Sequence, residues 1–206
     1  NPDGTLYTAE VSSYSNFTPL SRSSQTYNLA AELAGLLPDT TYYARVRAVN
    51  RIGIYTSYAA LGSTVTPAVT PALPAGAAFT PVYASSVAVN WSSGSVANGG
   101  YNPVGTLYRA EVSTSSADFL PAASSQTYNI SAVLSGLTPN TTYYGRVQAL
   151  GRTGFTDFTV LGSTLMAAAV PVELMEATGR LEAAARWSRS LFFLYSPDDA
   201  VLHFAF

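Results

Sequence analysis

Leu137-Thr138-Pro139-Asn140-Thr141-Thr142-Tyr143-Tyr144-Gly145-Arg146-Val147-Gln148-Ala149 is the stretch on which the fold of this chain turns. Tyr143, Gly145, Val147 and Ala149 alternate with Tyr144, Arg146 and Gln148. A period of two over this length marks a half-buried strand. About one hundred residues earlier the pattern stands a first time, as Leu36-Leu37-Pro38-Asp39-Thr40-Thr41-Tyr42-Tyr43-Ala44-Arg45-Val46-Arg47-Ala48.

The register between the two copies extends in both directions. Asn1-Pro2-Asp3-Gly4-Thr5-Leu6-Tyr7-Thr8-Ala9-Glu10-Val11-Ser12 aligns with Asn102-Pro103-Val104-Gly105-Thr106-Leu107-Tyr108-Arg109-Ala110-Glu111-Val112-Ser113. Ser23-Ser24-Gln25-Thr26-Tyr27-Asn28 aligns with Ser124-Ser125-Gln126-Thr127-Tyr128-Asn129, and Leu61-Gly62-Ser63-Thr64 with Leu161-Gly162-Ser163-Thr164. A duplicated unit this long is a whole domain rather than a solenoid repeat. Two further runs have the strand period: Tyr108, Ala110 and Val112 alternate with Arg109, Glu111 and Ser113, and Val87, Val89 and Trp91 with Ala88 and Asn90. The turn clusters Ser93-Gly94, Asn98-Gly99-Gly100 and Asn102-Pro103 separate them at the spacing of an antiparallel sandwich. A parallel sheet would need crossover helices, and none fits between these strands.

These residues resemble the fibronectin type III family. A Trp closes the second strand (Trp91), a Tyr-x-Ala-x-Val run follows (Tyr108 to Val112), and Leu-x-Pro-x-Thr-x-Tyr-x-x-x-Val-x-Ala spans Leu137 to Ala149 and again Leu36 to Ala48. The resemblance implies an all-β chain of tandem antiparallel β-sandwiches. It makes Tyr42 and Tyr143 corner tyrosines whose hydroxyls bond to backbone upstream, with Leu36, Pro38, Leu137 and Pro139 setting the turn into strand F. Residues 77–166 match a complete domain, whereas residues 1–66 match only strands C to G, so strands A and B of the first copy are missing. Its strand E, expected around Ala31-Glu32-Leu33, then lacks its neighbours, and the open edge is expected to attract another strand. Residues 67–76, rich in Pro and Ala, read as a stiff linker. The chain reads as a fragment of a longer array. In the tail, 167–206, an amphipathic pattern over Val172–Ser188 predicts a helix, and Leu191–Tyr195 and Val201–Phe206 flank a turn sequence that predicts a hairpin.

Of the 206 residues 48% are hydrophobic and only 11% charged, which places the chain among folded, charge-poor proteins. Ten arginines against twelve acids leave a net charge of −2, without the basic stripe that a phosphate backbone demands, so nucleic acid is not an expected partner. The absence of cysteine excludes disulfides and thiol nucleophiles. No apolar run reaches the roughly 18–20 residues of a membrane-spanning helix. The one histidine, His203, sits in the tail, and the acids are scattered, so neither catalysis nor a metal or other cofactor is expected.

The candidate ligand contacts are Arg51 and Arg152 in the loops between strands F and G, and Tyr144 and Arg109 on the outward strand faces. Glu111 opposite Arg146 reads as an ordinary cross-strand pair, and Trp91 as core. The expected role is that of a non-catalytic structural or adhesive spacer in a larger extracellular or cell-surface protein, meeting a protein or glycan surface and neighbouring repeats. The alternative is a carbohydrate-binding accessory region of a secreted glycan-degrading enzyme.

Overall fold

The structure is a computed structural model that describes residues 1–167, 194–196 and 199–203. The first copy carries four strands, β1 (Leu6–Ser12), β2 (Arg22–Thr26), β3 (Thr41–Val49) and β4 (Ala59–Val65), in one antiparallel sheet of order β2-β1-β3-β4. The second copy begins with β5 (Phe79–Val82) and β6 (Ser86–Asn90), continues through the two-residue strands β7 (Gly94–Ser95) and β8 (Gly100–Tyr101), and reaches β9 (Leu107–Ser113), β10 (Ala123–Thr127) and β11 (Ser131–Ser135). It closes with β12 (Thr142–Gly151), β13 (Gly154–Phe155) and β14 (Thr159–Leu165). Here the sheet β10-β9-β12-β14, equivalent to the sheet of the first copy, faces a second sheet of order β11-β6-β5. The described residues fold as antiparallel β-sheets with a single 3-10 turn at Val96–Asn98, and the period of two had marked the strands.

The second sheet exists because its strands have something to cover. Val87 and Val89 of β6 are paired with Leu134 and Ala132 of β11, and all four side chains are buried. Trp91, 1% exposed, tilts against the Tyr108 ring with centroids 5.7 Å apart. Val112 and Val147 of the facing sheet complete this core. Gly145 belongs to the same packing: a Cβ there would stand 2.7 Å from the ring of Phe79, so the close approach of β5 demands glycine.

The first copy has the same sheet without a second sheet over it: Val11, Tyr42 and Ala48 are buried, but the rest of the face is open. Leu61 is 63% exposed whereas its counterpart Leu161 is 6% exposed, and Tyr7, Ala9 and Val46 are half-buried where Tyr108, Ala110 and Val147 are buried. The strand expected around Ala31-Glu32-Leu33 is not formed: residues 27–40 hold no strand. The cause is the missing partner. In the second copy β11 takes its ladder bonds from β6, and the first copy has no strand equivalent to β6 to satisfy those groups.

Both corner tyrosines are buried. The Leu37 amide donates to the Tyr42 hydroxyl at 2.9 Å, and the Thr138 amide to the Tyr143 hydroxyl at 3.0 Å. Leu137 is buried and Leu36 half-buried; Pro38 is buried and Pro139 half-buried.

The chain divides into two compact units. The first comprises Asn1–Thr70, Ser93–Thr106 and Leu150–Thr156; the second comprises Pro71–Ser92, Leu107–Ala149 and the described residues from Asp157. Within the first unit the Pro-rich stretch is bonded rather than free. The Asp39 amide donates to the Pro67 carbonyl, and buried Asn102 both accepts from the Val69 amide at 2.8 Å and donates to the Val69 carbonyl at 2.7 Å.

In the tail, β15 (Leu194–Ser196) and β16 (Asp199–His203) pair antiparallel. The helix expected over 172–188 lies outside the described residues.

Truncating Trp91 to Ala is expected to cost about 3–5 kcal/mol of the second unit's stability, and Tyr143→Phe, which orphans the Thr138 amide, about 1 kcal/mol. Urea unfolding followed by far-ultraviolet circular dichroism measures both, and losses that are equal and negligible contradict the packing described.

Candidate functional site

The outward face of each main sheet carries the most concentrated chemistry of the described residues. In β9 the polar residues that alternate with the core, Glu111 and Ser113, are themselves buried, Glu111 completely. A carboxylate taken out of water must be compensated by close cations and hydrogen bonds. Arg146 on the neighbouring strand β12 directs Nε at 2.9 Å and Nη2 at 2.8 Å to Glu111 Oε2, and Arg109 Nη2 lies 2.5 Å from Oε1. The Arg146 guanidinium is in turn held between two rings, 3.8 Å from the Phe119 centroid and 3.9 Å from that of Phe158. The planar ion can stack in this way because its edge carries the hydrogen bonds while its faces are only weakly hydrated. Phe119 comes from the loop after β9, and Phe158 from the segment entering β14, so three separate parts of the chain converge on one guanidinium. The pair is therefore no ordinary exposed cross-strand contact, and the expectation that it would be one is corrected by the burial of Glu111.

The first copy builds the same device with different parts. Glu10 on β1 stands opposite Arg45 on β3, which gives Oε2 bonds of 2.8 Å from Nε and 2.7 Å from Nη2. Arg45 is stacked between Phe17 at 4.1 Å and Tyr58 at 3.8 Å. Arg47 continues the pile, 4.6 Å from Tyr58 and 3.9 Å from Tyr55, so that rings and guanidinium groups alternate through five layers. The position equivalent to Arg109 is Thr8, which cannot reach the carboxylate as a cation; instead the Tyr58 hydroxyl donates to Glu10 Oε1 at 2.8 Å. In the second copy that ring is Phe158, which has no hydroxyl, and Arg109 supplies the missing partner. Burial pushes the Glu10 carboxyl up, but the Tyr58 hydroxyl and the Arg45 and Arg47 charges outweigh it and hold the group below the usual carboxylate range. Burial and the adjacent carboxylate both push the Tyr58 hydroxyl up.

The residues singled out in the sequence fall around these stacks. Arg109 is half-exposed and committed to Glu111. Tyr144 is half-buried on the outward face of β12. Arg51 is exposed in the turn after β3 and borders a groove of about 490 Å³ together with Asn1, Gly4, Asn50 and Tyr55. Arg152 is exposed yet tethered within the first unit: its amide donates to Asp39 Oδ1 at 2.7 Å and its Nη1 to the Thr41 hydroxyl at 3.2 Å. Phe17, Tyr55, Tyr58, Phe119 and Phe158 were missed. The available signal was an aromatic residue at matching places in both copies beside a repeated Glu and Arg. Among the described residues no group of three or more His, Cys, Asp or Glu side chains could hold a metal ion, and no helix is long and apolar enough to cross a membrane.

Two facing antiparallel sheets, a core Trp immediately after the second strand and a corner Tyr bonded to upstream backbone make this the fibronectin type III fold, complete in the second copy and reduced to one sheet in the first. A two-domain fibronectin type III segment of chicken tenascin shares it, with a TM-score of 0.51 at 15% identity over 78% of this chain and 84% of that one. The FN1-FN3 domains of chicken CNTN1 align over 80% of this chain at 17% identity with a TM-score of 0.35, and the chain spans 57% of their length. Residues 75–159 match the family described as the N-terminal domain of purple acid phosphatase. No curated protein matches the sequence.

Replacing Arg146 by Met is expected to cost about 3–5 kcal/mol, because Glu111 stays buried with its main partner gone. The double change Arg146→Met with Glu111→Leu removes the stranded charge and is expected to cost less than the single one. Chemical denaturation of the three proteins measures this, and a double variant less stable than Arg146→Met contradicts the reading.

Proposed function

We propose that the chain is a non-catalytic spacer and interaction segment, built of tandem fibronectin type III-like modules, of a larger extracellular or cell-surface protein. The observation that carries this is that its clustered ionisable groups are spent on one another as ion pairs. Glu111 with Arg109 and Arg146, and Glu10 with Arg45 and Tyr58, pair within each copy and brace the sheets. A catalytic acid or base needs a group with free capacity beside a space for substrate. What the sheets turn to solvent instead is nearly uncharged, Ser and Thr interspersed with apolar side chains such as Leu61, Val133 and Val160, a surface fit for contact with a protein or glycan.

A second reading, an accessory region carried beside a catalytic domain, is favoured by the match of residues 75–159 to a family named for the N-terminal domain of a phosphatase. In this reading Tyr144, half-exposed on β12, is the residue to stack a sugar ring.

Antibodies raised against the segment are expected to label intact, unpermeabilised cells or the secreted fraction. The purified segment is expected to turn over neither phosphomonoesters nor glycosides, with or without divalent metal ions. Labelling only after permeabilisation, or turnover that a point substitution in this chain abolishes, contradicts the proposal. Glycan binding lost on Tyr144→Ala and retained on Arg51→Ala favours the accessory reading.

A further inference from the structure

We propose that Asn140, at the corner leading into β12, is the acceptor of an N-linked glycan. The inference rests on the extracellular reading, because such a glycan is added to chains that enter the secretory route.

The acceptor pattern is an asparagine with a serine or threonine two residues on and no proline between. It stands at Asn16-Phe17-Thr18, Asn90-Trp91-Ser92, Asn129-Ile130-Ser131 and Asn140-Thr141-Thr142. The fold separates these matches, since a bulky, hydrated sugar must leave the acceptor nitrogen directly for water. Asn90 ends β6, the middle strand of its sheet; its Nδ2 donates to the Thr80 carbonyl at 3.1 Å, and Trp91 beside it is core. That nitrogen is spent within the sheet. Asn16 is exposed, but its Oδ1 accepts from the Thr18 amide at 3.0 Å, which fixes the carboxamide in the loop. Asn129 is exposed and is followed by serine rather than threonine. At Asn140 the carboxamide is exposed and makes no hydrogen bond among the described residues, and Thr142, two residues on, is exposed as well. Thr141 between them turns its hydroxyl back to the Pro139 carbonyl at 3.1 Å, out of the way of both.

The duplication supplies an internal comparison. At the equivalent corner the first copy has Asp39, in the same left-handed backbone conformation, with φ of 45° against 52° at Asn140. Asp39 is 7% exposed, and its Oδ1 accepts from the Arg152 amide at 2.7 Å. A glycan could not share that space, and an aspartate has no nitrogen to carry one. Where the corner is covered the acceptor is absent; where it is open the acceptor is complete. The step joins Asn140 Nδ2 to the anomeric carbon of an oligosaccharide held on a lipid diphosphate. The nitrogen–carbon bond forms, the bond from that carbon to the diphosphate oxygen breaks, and the lipid diphosphate leaves with the electron pair while the amide gives up one proton. The attached sugar then keeps this corner from accepting a backbone amide as Asp39 does.

The test translates the whole chain, behind a cleavable secretory leader, into microsomal vesicles. Enzymatic release of the glycans in heavy-oxygen water then marks each formerly glycosylated asparagine as a labelled aspartate, which mass spectrometry locates. The unaltered chain is expected to be modified at Asn140. Thr142→Ser is expected to keep the modification, and Thr142→Ala and Asn140→Gln to lose it, while Asn90 stays unmodified in the folded, protease-resistant fraction. A chain that the vesicles shield from added protease, and that is therefore translocated, yet carries no glycan at Asn140 overturns the assignment. Equal occupancy of Asn90 and Asn140 in the folded fraction also overturns it, because the fold then does not select the acceptor. Neither result touches the extracellular reading, which the labelling of intact cells decides.

Discussion

A sheet of alternating residues has an apolar face that must be covered, and the rest of this structure follows from where that cover is present. In the second copy Val87 and Val89 of β6, with Trp91 just after it, lie over Tyr108, Val112 and Val147, and the buried alternation of both sheets is the result. The requirement reaches single residues: Gly145 is glycine because Phe79 of the covering sheet lies against it. In the first copy the same alternation persists without the cover. Tyr7, Ala9 and Val46 stay half-exposed, and the residues that repeat the pattern of β11 form no strand. Each fully buried Val or Leu side chain contributes roughly 1.5–3 kcal/mol, against a domain stability of about 5–15 kcal/mol. An uncovered face is therefore a large fraction of what would hold the first copy folded.

The opposite face is closed by electrostatics and stacking. Each copy places one Glu under one Arg, and holds the Arg between aromatic rings that arrive from loops distant in sequence. The arrangement ties the loop after the first long strand, and the segment entering the last one, to the middle of the sheet. Its variation between copies is compensatory. Beside the same second carboxylate oxygen the first copy places the Tyr58 hydroxyl, as a hydrogen-bond donor, and the second copy the Arg109 guanidinium, as a countercharge.

The period of two, the duplication and the Leu-x-Pro-x-Thr-x-Tyr run made the strands, their antiparallel order and the core position of Trp91 legible, because these depend on local pattern and on which face must be apolar. The stacks were not legible for a physical reason. Alternation assigns Glu111 and Arg146 to the outward face, but whether an outward face is covered depends on loops such as the one carrying Phe119, whose path no periodicity encodes. Strand E of the first copy fails in the complementary way. Ala31 and Leu33 carry the pattern of a strand, but a strand is a pairing, and the partner is not among the described residues.

Native-state amide exchange, resolved by residue along β3 and β12, tests the central claim most directly. Cover by a second sheet is held to be what distinguishes the copies, since their main sheets share strand order and register pattern. The account predicts that amides of Ala44 to Ala48 open at a free energy at least about 2 kcal/mol below those of Gly145 to Ala149, the cost of leaving one large apolar side chain uncovered. Equal protection of the two stretches would contradict it.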